Sequence, residues 1–210
     1  MDCIIFVLFS EFACDEGSVF IAILIGAYLL GSIPFAYILT KLFTKKDIRE
    51  VGSKNVGATN VFRVNKKLAG LVLLLDIAKS AVLVYSLQKY GIVITREELC
   101  IVGLLSVLGH IYPVWLKFKG GKGVATSIGV IIPLNTLMLC VFFITWLFTF
   151  NNTRYVSLSS IVSIIATMVV CYLTESNVVA LLYSVQSVLV VLKHRENIVR
   201  LIKREEKKVI

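Results

Sequence analysis

The chain has 210 residues, of which 58% are hydrophobic and 17% charged, and its formal net charge is +9. With a mean hydropathy of +0.88, it lacks the polar surface that a soluble domain of this size would need, so an ordinary soluble protein is excluded. The positive charge indicates an anionic partner, but the basic residues lie in short segments between apolar runs, which argues against nucleic acid. We expect one membrane-embedded bundle.

The first 17 residues contain four acidic residues and no Lys or Arg. An apolar run at 18–40, long enough to cross a bilayer, follows them. Next comes the loop 41–67, which holds eight Lys and Arg. By the positive-inside rule, segment 1–17 is extracytoplasmic and the loop is cytoplasmic. Whether Cys3 and Cys14 form a bridge stays open, whereas the other cysteines are expected to be small buried hydrophobes.

Part of this loop, GSKNVGATNVFR at 52–63, is rich in residues that bind anions. Gly52 and Gly57 allow positive φ, so that backbone N–H groups can converge on an anion. Arg63 offers a planar fork for a phosphate. A basic loop is ordinarily only a topology signal or a lipid-headgroup contact, but this composition favours phosphate binding. Short neutral donors complete the loop: Ser53, Asn55, Thr59 and Asn60.

The next two predicted spans, 68–89 and 99–116, contain the ionisable residues Asp76, Lys79 and His110. Asp76 and Lys79 are i,i+3 neighbours on one helix face, and we expect a structural ion pair inside the bundle. His110 ends the second of these spans and is expected to be a structural histidine. The spacing of His, Cys and acidic residues suggests no metal site.

The loop 117–123 leads into an apolar helix. Gly120 and Gly121 let the backbone approach a ligand, Lys119 and Lys122 supply charges, and the helix N-terminus offers unpaired N–H groups. The GxxxxGK[ST] spacing of a P-loop is not met, so a nucleotide triphosphatase is disfavoured.

The stretch 124–150 is too long for one untilted span, and Pro133 and Asn135 interrupt it. The loop 151–157, which contains Arg154 and Ser157, follows. The predicted spans 157–173 and 178–192 then lead to a tail, 193–210, with seven Lys and Arg.

A cytoplasmic tail requires the stretch 124–150 to cross twice, as two short helices that turn near Pro133 and Asn135. We therefore predict an all-α integral membrane protein with seven transmembrane helices, the N-terminus outside and the C-terminus cytoplasmic. Residues 18–210 would form a single domain.

Segment 193–200 begins the tail with the sequence KHRENIVR. His194 and Asn197 are three residues apart and share a helix face, so both can reach a phosphate or a hydroxyl. The alternative is an interfacial basic helix that lies on anionic lipid.

Several motifs recur in one order and closely resemble the bacterial acyl-phosphate:glycerol-3-phosphate acyltransferase family (PlsY type). The resemblance covers about residues 20–204. The motifs are GSIPF (31–35), DIR to VGS (47–53), NVGATNVFR (55–63), LLD (74–76), GH (109–110), PV (113–114), KFKGGKGVAT (117–126), TRYVS (153–157) and HRENI (194–198).

The resemblance implies a reaction at the cytoplasmic face of the bacterial inner membrane. A fatty acyl group moves from acyl phosphate to the 1-hydroxyl of glycerol-3-phosphate, giving 1-acyl-glycerol-3-phosphate and phosphate, the first step of phospholipid biosynthesis. It implies no metal or cofactor, direct transfer without an acyl-enzyme, membrane lipid as the surroundings, and a functional link to the enzyme that makes acyl phosphate.

The resemblance also divides the site residues. It assigns one group to glycerol-3-phosphate: Ser53, Arg63, Lys122, His194 and Asn197. It assigns a second to the acyl-phosphate headgroup, namely Thr59, Gly120, Gly121 and Ser157, with Asn60 and Arg154 nearby. Asn55 is a further predicted substrate-binding residue. Lys54 stands where the family usually has Gly, and positive φ there would cost about 1 kcal/mol.

Two other classes fit a basic, multi-span chain. An anion transporter or channel predicts charged residues along a path through the membrane, and only Asp76 and Lys79 qualify. A lipid-binding scaffold has no need of the GATN and GGKG patterns.

Overall fold

The computed structural model describes residues 16–93 and 95–208. Most of the predicted extracytoplasmic segment 1–17, with Cys3 and Cys14, therefore lies outside the described residues. Of the other cysteines, Cys100 and Cys171 are buried as expected, whereas Cys140 is exposed.

The described residues are helical and contain no strand, which confirms the predicted class. A 3₁₀ turn at Val114–Leu116 follows the fifth helix. The ten α-helices of this part are α1 (Glu16–Gly31), α2 (Phe35–Thr44), α3 (Ala58–Val61), α4 (Lys66–Lys89), α5 (Arg96–Ile111), α6 (Val124–Leu134), α7 (Thr136–Thr153), α8 (Val156–Thr174), α9 (Asn177–Lys193) and α10 (Arg195–Ile202).

The first predicted span, 18–40, is not one continuous helix. Helices α1 and α2 meet at Ser32–Pro34, because proline has no N–H to donate and disfavours helical backbone at the residue before it. The end of α1 packs tightly on α5, since a Cβ on Gly31 would lie 2.1 Å from the Ser106 carbonyl oxygen.

The stretch 124–150 is divided where the sequence predicts. Helix α6 ends at Leu134, and α7 begins at Thr136. Between them, Asn135 caps α7, because its side-chain oxygen accepts a hydrogen bond from the Met138 N–H at 3.0 Å. Helix α6 packs mainly on α4, and α7 packs mainly on α8.

The helices have the length and the surface of membrane spans. Within residues 16–93 and 95–208, five segments are long and apolar enough to cross a bilayer: Gly17–Thr44, Lys66–Lys89, Arg96–Leu116, Thr136–Thr153 and Val156–Thr174. Helices α9 and α10 qualify together as a pair bent by 56°, and α6 is a shorter apolar helix. Large apolar side chains such as Phe148 and Leu173 are 72% and 79% exposed, as lipid-facing residues are.

One apolar cluster positions the loop between α2 and α4. Ile48, Val56 and Val61 are buried in it against Val72 of α4 and Leu116 of the 3₁₀ turn. Residues of the 52–63 loop are thereby held against the same end of the bundle as the loop 117–123.

Candidate active site

Asn60 organises the loop 52–63 from within. It is 1% exposed, and its side-chain NH₂ group lies 2.9 to 3.1 Å from the carbonyl oxygens of Ile48, Val51 and Asn55. Its side-chain oxygen accepts the Ser53 N–H at 3.0 Å. Both ends of the amide are thus engaged inside the loop, so Asn60 shapes the loop rather than facing a ligand.

The two glycines of this loop differ. Gly52 has the expected positive φ of 60°, and a Cβ there would lie 2.4 Å from the Asn60 side-chain oxygen. The expectation for Gly57 is wrong: its φ is −169°, because it is the extended residue that precedes α3. Lys54 has a φ of 58°, so the position does require left-handed backbone, at a cost of about 1 kcal/mol for a residue with a Cβ.

The face of the loop away from the core carries exposed donors. Ser53, Thr59 and Arg63 are all exposed. The Arg63 guanidinium lies beside Gly52, since Nη1 would be 3.3 Å from a Cβ built there. This face can therefore bind an anion without first breaking an internal hydrogen bond.

The glycines of the loop 117–123 bring the backbone close to protein, not to a ligand. The Gly121 N–H donates to the His110 carbonyl at 3.1 Å, and the Gly120 N–H donates to the Ile111 carbonyl at 3.2 Å. A Cβ on Gly121 would lie 2.1 Å from His110 Nε2 and 2.7 Å from the Val56 carbonyl oxygen. These glycines fasten the loop, and the N–H groups left for an anion are those of the first turn of α6.

Lys122 projects from this fastened loop towards the tail. Its ammonium donates a hydrogen bond to the Asn197 side-chain oxygen. Burial lowers the pKa of Lys122 to about 8; the Glu206 carboxylate opposes this shift, and the Arg200 and Arg63 cations reinforce it. The predicted pair Lys122 and Asn197 is therefore in direct contact, with Arg63 close enough to act on its charge.

His194 occupies the break between α9 and α10 and is 3% exposed. Its Nδ1 lies 2.8 Å from the Val190 carbonyl oxygen, which can only accept, so Nδ1 carries the proton and Nε2 remains for another partner. Burial, and then the nearby Lys122 charge, lower the pKa of His194 to about 4. Unless an anion is bound, this imidazole is neutral.

Glu206 is a site residue that the sequence reasoning missed. Its carboxylate accepts hydrogen bonds from Ser157 Oγ at 2.7 Å, Asn197 Nδ2 at 2.6 Å and Arg200 Nε at 2.6 Å. Burial alone would raise the pKa of this carboxyl, but hydrogen bonds from Ser157, Arg200 and Asn197 outweigh it and lower the pKa. Glu206 thus joins two predicted site residues on different helices.

A signal for Glu206 was present but weak. Glu205 and Glu206 are two adjacent acidic residues in a tail that is otherwise rich in Lys and Arg. Sequence alone gives no reason to prefer one of the two. In the structure Glu205 is exposed, whereas Glu206 turns inward.

Glu206→Gln is expected to lower the free energy of unfolding by about 1–3 kcal/mol, because Asn197 and Arg200 lose a charged acceptor. For the same reason, kcat/KM for glycerol-3-phosphate, the substrate that the resemblance implies, should fall about tenfold. Since folding lowers the pKa of this carboxyl, the wild-type advantage is full above its ordinary value of 4.5 and shrinks as pH falls through the lowered value. Thermal melting in detergent as a function of pH measures this difference in stability between the wild type and Glu206→Gln. Glu205→Gln is the matched control, and equal effects of both substitutions would contradict the assignment.

The structure thus gathers the predicted residues into two adjoining groups. Lys122, His194, Asn197 and Ser157 form one with Glu206. The donors of the loop 52–63 form the other, and the two groups adjoin where the Val56 carbonyl meets Gly121. Arg154 is exposed, with its guanidinium 5.7 Å from the centre of the Phe150 ring.

A family model described as glycerol-3-phosphate acyltransferase matches residues 21–204. Curated relatives carry the same description. A protein of Anaplasma phagocytophilum (strain HZ) is 88% identical over 91% of this chain and 100% of its own length. One of Pelagibacter ubique (strain HTCC1062) is 46% identical over 90% of this chain and 97% of its own length.

Two solved structures share the fold. They are crystal structures of PlsY, an integral membrane glycerol 3-phosphate acyltransferase, in a glycerol 3-phosphate form and a lysophosphatidic acid form. The first has a TM-score of 0.85 and 40% identity, and covers 91% of this chain and 96% of its own. The second has a TM-score of 0.82 and 39% identity, and covers 91% of this chain and 95% of its own.

Proposed function

The chain belongs to the glycerol-3-phosphate acyltransferase family, and from that premise we propose that it transfers a fatty acyl group from an acyl phosphate to the 1-hydroxyl of glycerol-3-phosphate. The observation that carries the proposal is the contact between Lys122 and Asn197, beside His194 and within electrostatic reach of Arg63. A cation, an amide and an imidazole that converge at one end of a membrane bundle suit a small polar phosphate ester whose partner is a lipid.

Two phosphates must be bound close together, and we assign residues from both adjoining groups to each of them. Lys122, His194 and Asn197, with Ser53 and Arg63 from the neighbouring loop, would hold glycerol-3-phosphate. Neutral donors suit the second phosphate, because they add no like charge to repel the first cationic set. Thr59 and the N–H groups of the first turn of α6 are candidates for this second position. Ser157 is a further candidate, but its hydroxyl would first have to leave the Glu206 carboxylate, to which it donates a hydrogen bond at 2.7 Å.

Once both substrates are bound, acyl transfer mainly requires the protein to position them. The 1-hydroxyl oxygen attacks the acyl carbonyl carbon, the bond from that carbon to the phosphate oxygen breaks, and inorganic phosphate leaves. The protein orients the hydroxyl against the carbonyl and stabilises the developing charge. No covalent acyl-enzyme is required, because the donor is already activated.

The hydroxyl proton goes to the departing phosphate. The competing acceptor is His194 Nε2. Without a bound anion its pKa is lowered to about 4, which makes it a weak base, and bound phosphates would favour the charged imidazolium, which cannot accept a proton. A phosphate with a second pKa of about 6 is the stronger base and is already in place. We assign His194 to binding.

The arrangement in the membrane completes the proposal. Residues 18–210 form one domain of seven spans, with segment 1–17 extracytoplasmic and the tail cytoplasmic. The division of 124–150 at Asn135 supports this, because it supplies the additional crossing that the charge distribution requires. The site then faces the cytoplasm of the bacterial inner membrane, where a reaction that makes acyl phosphate can supply the donor.

The deciding experiment follows phosphate release by purified protein given palmitoyl phosphate, with and without glycerol-3-phosphate. Release that requires both is expected. No release, or release independent of glycerol-3-phosphate, would rule out the transfer. Palmitoyl-CoA in place of palmitoyl phosphate tests the donor class, and equal rates with the two donors would overturn acyl-phosphate specificity.

His194→Asn separates binding from proton transfer. A binding role predicts a raised KM for glycerol-3-phosphate with kcat near the wild-type value. A large loss of kcat with unchanged KM would instead make His194 the base. Mass spectrometry after quenching tests direct transfer, and an acyl group found on Ser53, Thr59 or Ser157 would sink it.

The pH profile should report the Lys122 charge. Since the pKa of Lys122 is lowered to about 8, the ammonium is lost as pH rises through that value. We expect kcat/KM for glycerol-3-phosphate to fall above about pH 8. Lys122→Arg, whose guanidinium stays charged, should remove this alkaline decline even if the maximum is lower. A decline at the same pH in both proteins would assign it to another group.

A further inference from the structure

Three buried residues beneath the site remain unused by the proposed reaction. Asp76 and Lys79 of α4 and His110 of α5 are 2%, 5% and 8% exposed. The Lys79 ammonium lies 2.8 Å from Asp76 Oδ1, 3.2 Å from the Ile33 carbonyl oxygen and 3.0 Å from His110 Nδ1. An ammonium has three N–H groups, and these three partners use all of them.

These contacts favour one tautomer of the histidine. A charged Lys79 donates to His110 Nδ1, which places the ring proton on Nε2, and Nδ1 also lies 3.5 Å from Asp76 Oδ1. The Nε2 edge lies against Gly121, where a Cβ would come within 2.1 Å of it. The His110 carbonyl oxygen also accepts the Gly121 N–H at 3.1 Å. His110 therefore supports the loop 117–123 through both its ring and its backbone.

Packing between helices does not account for the ion pair of Asp76 and Lys79. Asp76 and Lys79 lie on one helix, so their ion pair alone links nothing. The link between α4 and α5 is already provided one turn away, where Ser80 Oγ and Ser106 Oγ are 2.6 Å apart. Lys79 adds two hydrogen bonds. One goes to the Ile33 carbonyl oxygen, between α1 and α2, and the other goes to His110, which supports the loop 117–123.

We propose that Asp76, Lys79 and His110 form a positioning network that sets the place of the loop 117–123, and so of Lys122, against the loop 52–63. The effect of this network on substrate binding rests on the proposed function, whereas its contacts do not. The second loop is reached where Gly121 meets the Val56 carbonyl oxygen, 2.7 Å from a Cβ built on Gly121. None of the three residues needs to touch substrate.

The test removes both charges together, since a single change would leave one buried ion without a partner. In Asp76→Val/Lys79→Met the two side chains keep roughly similar volume, but neither can donate to His110 Nδ1 or to the Ile33 carbonyl. We expect a melting temperature near that of the wild type and at least a tenfold rise in KM for glycerol-3-phosphate. Ser80→Ala, a buried polar change on the same helix, is the control and should leave kcat and KM unchanged.

A second readout is independent of activity. Hydrogen–deuterium exchange of a peptide spanning 117–123 should be at least tenfold faster in the double variant, because the Gly120 and Gly121 N–H groups lose a fixed acceptor. Exchange in Ser80→Ala should match the wild type. Wild-type exchange in the double variant would overturn the network whatever the enzyme assay shows. If wild-type protein releases no phosphate, the proposed function fails, and the exchange experiment still decides the network.

Discussion

Lys122→Met is expected to lower kcat/KM for glycerol-3-phosphate about 100-fold, mostly through KM. The ammonium is held towards the site by its hydrogen bond to the Asn197 side chain. A charge-assisted contact to phosphate contributes roughly 1.5–3 kcal/mol, and the partly buried position of Lys122 favours the upper end of that range. Methionine keeps most of the stem and removes only the charge and its donors, so the fold should persist.

Steady-state kinetics with glycerol-3-phosphate varied at saturating palmitoyl phosphate measures the effect. Lys117→Met is the matched control, because Lys117 is an exposed lysine of the same loop. It should change kcat/KM less than about threefold, in keeping with the small contribution of exposed charges. Equal losses in the two variants would show that the loop acts through general charge and not through a placed ammonium.

The difference between Lys117 and Lys122 shows how far the sequence predicts which basic residues belong to the site. Both belong to one basic motif, and the resemblance alone singled out Lys122. The physical reason is visible only in three dimensions: the turn that follows Pro113 leaves Lys117 in solvent, while the fastened Gly120 and Gly121 direct Lys122 to α10. Charge patterns predict the membrane face of a residue, but not which side chains are held.

The break at Ser32–Pro34 is a second example. Apolar length predicts one span at 18–40, and Gly17–Thr44 does qualify as one, but hydropathy averages over the interruption within it. The interruption is stabilised by a distant residue as well as by Pro34, since Lys79 donates to the Ile33 carbonyl oxygen at 3.2 Å. The break at Asn135 is predicted because the stretch 124–150 is too long for one untilted span, whereas the length of 18–40 gives no such reason to look for a break.

Polar residues were the hardest to assign. Asn60 looked like a donor for substrate, but its side chain is occupied by backbone groups of its own loop. Glu206 lies in a tail that the sequence marks only by its basic charge, yet its carboxylate accepts hydrogen bonds from Ser157 and Asn197. Residue type and spacing identify groups able to bind phosphate, and only the contacts show which of them remain available.

Gly121→Ala is expected to reduce kcat/KM for glycerol-3-phosphate at least about 100-fold with the membrane helices intact. The added Cβ would lie 2.1 Å from His110 Nε2 and 2.7 Å from the Val56 carbonyl oxygen. Neither atom is the free end of a flexible side chain: one belongs to a buried ring and the other to backbone. The loops 117–123 and 52–63 must therefore separate, and a displacement of about 1 Å can cost about 100-fold in rate.

Gly70→Ala is the control, since a Cβ on Gly70 meets no atom within 4 Å. It lies in α4, where alanine is favoured over glycine by about 1 kcal/mol, so melting should rise slightly and activity should stay at the wild-type level. Near-wild-type kinetics of Gly121→Ala would mean that the two loops tolerate separation. The contrast between two glycines, one packed against a ring and a carbonyl and one open, makes the spacing of the loops, rather than glycine content, the property under test.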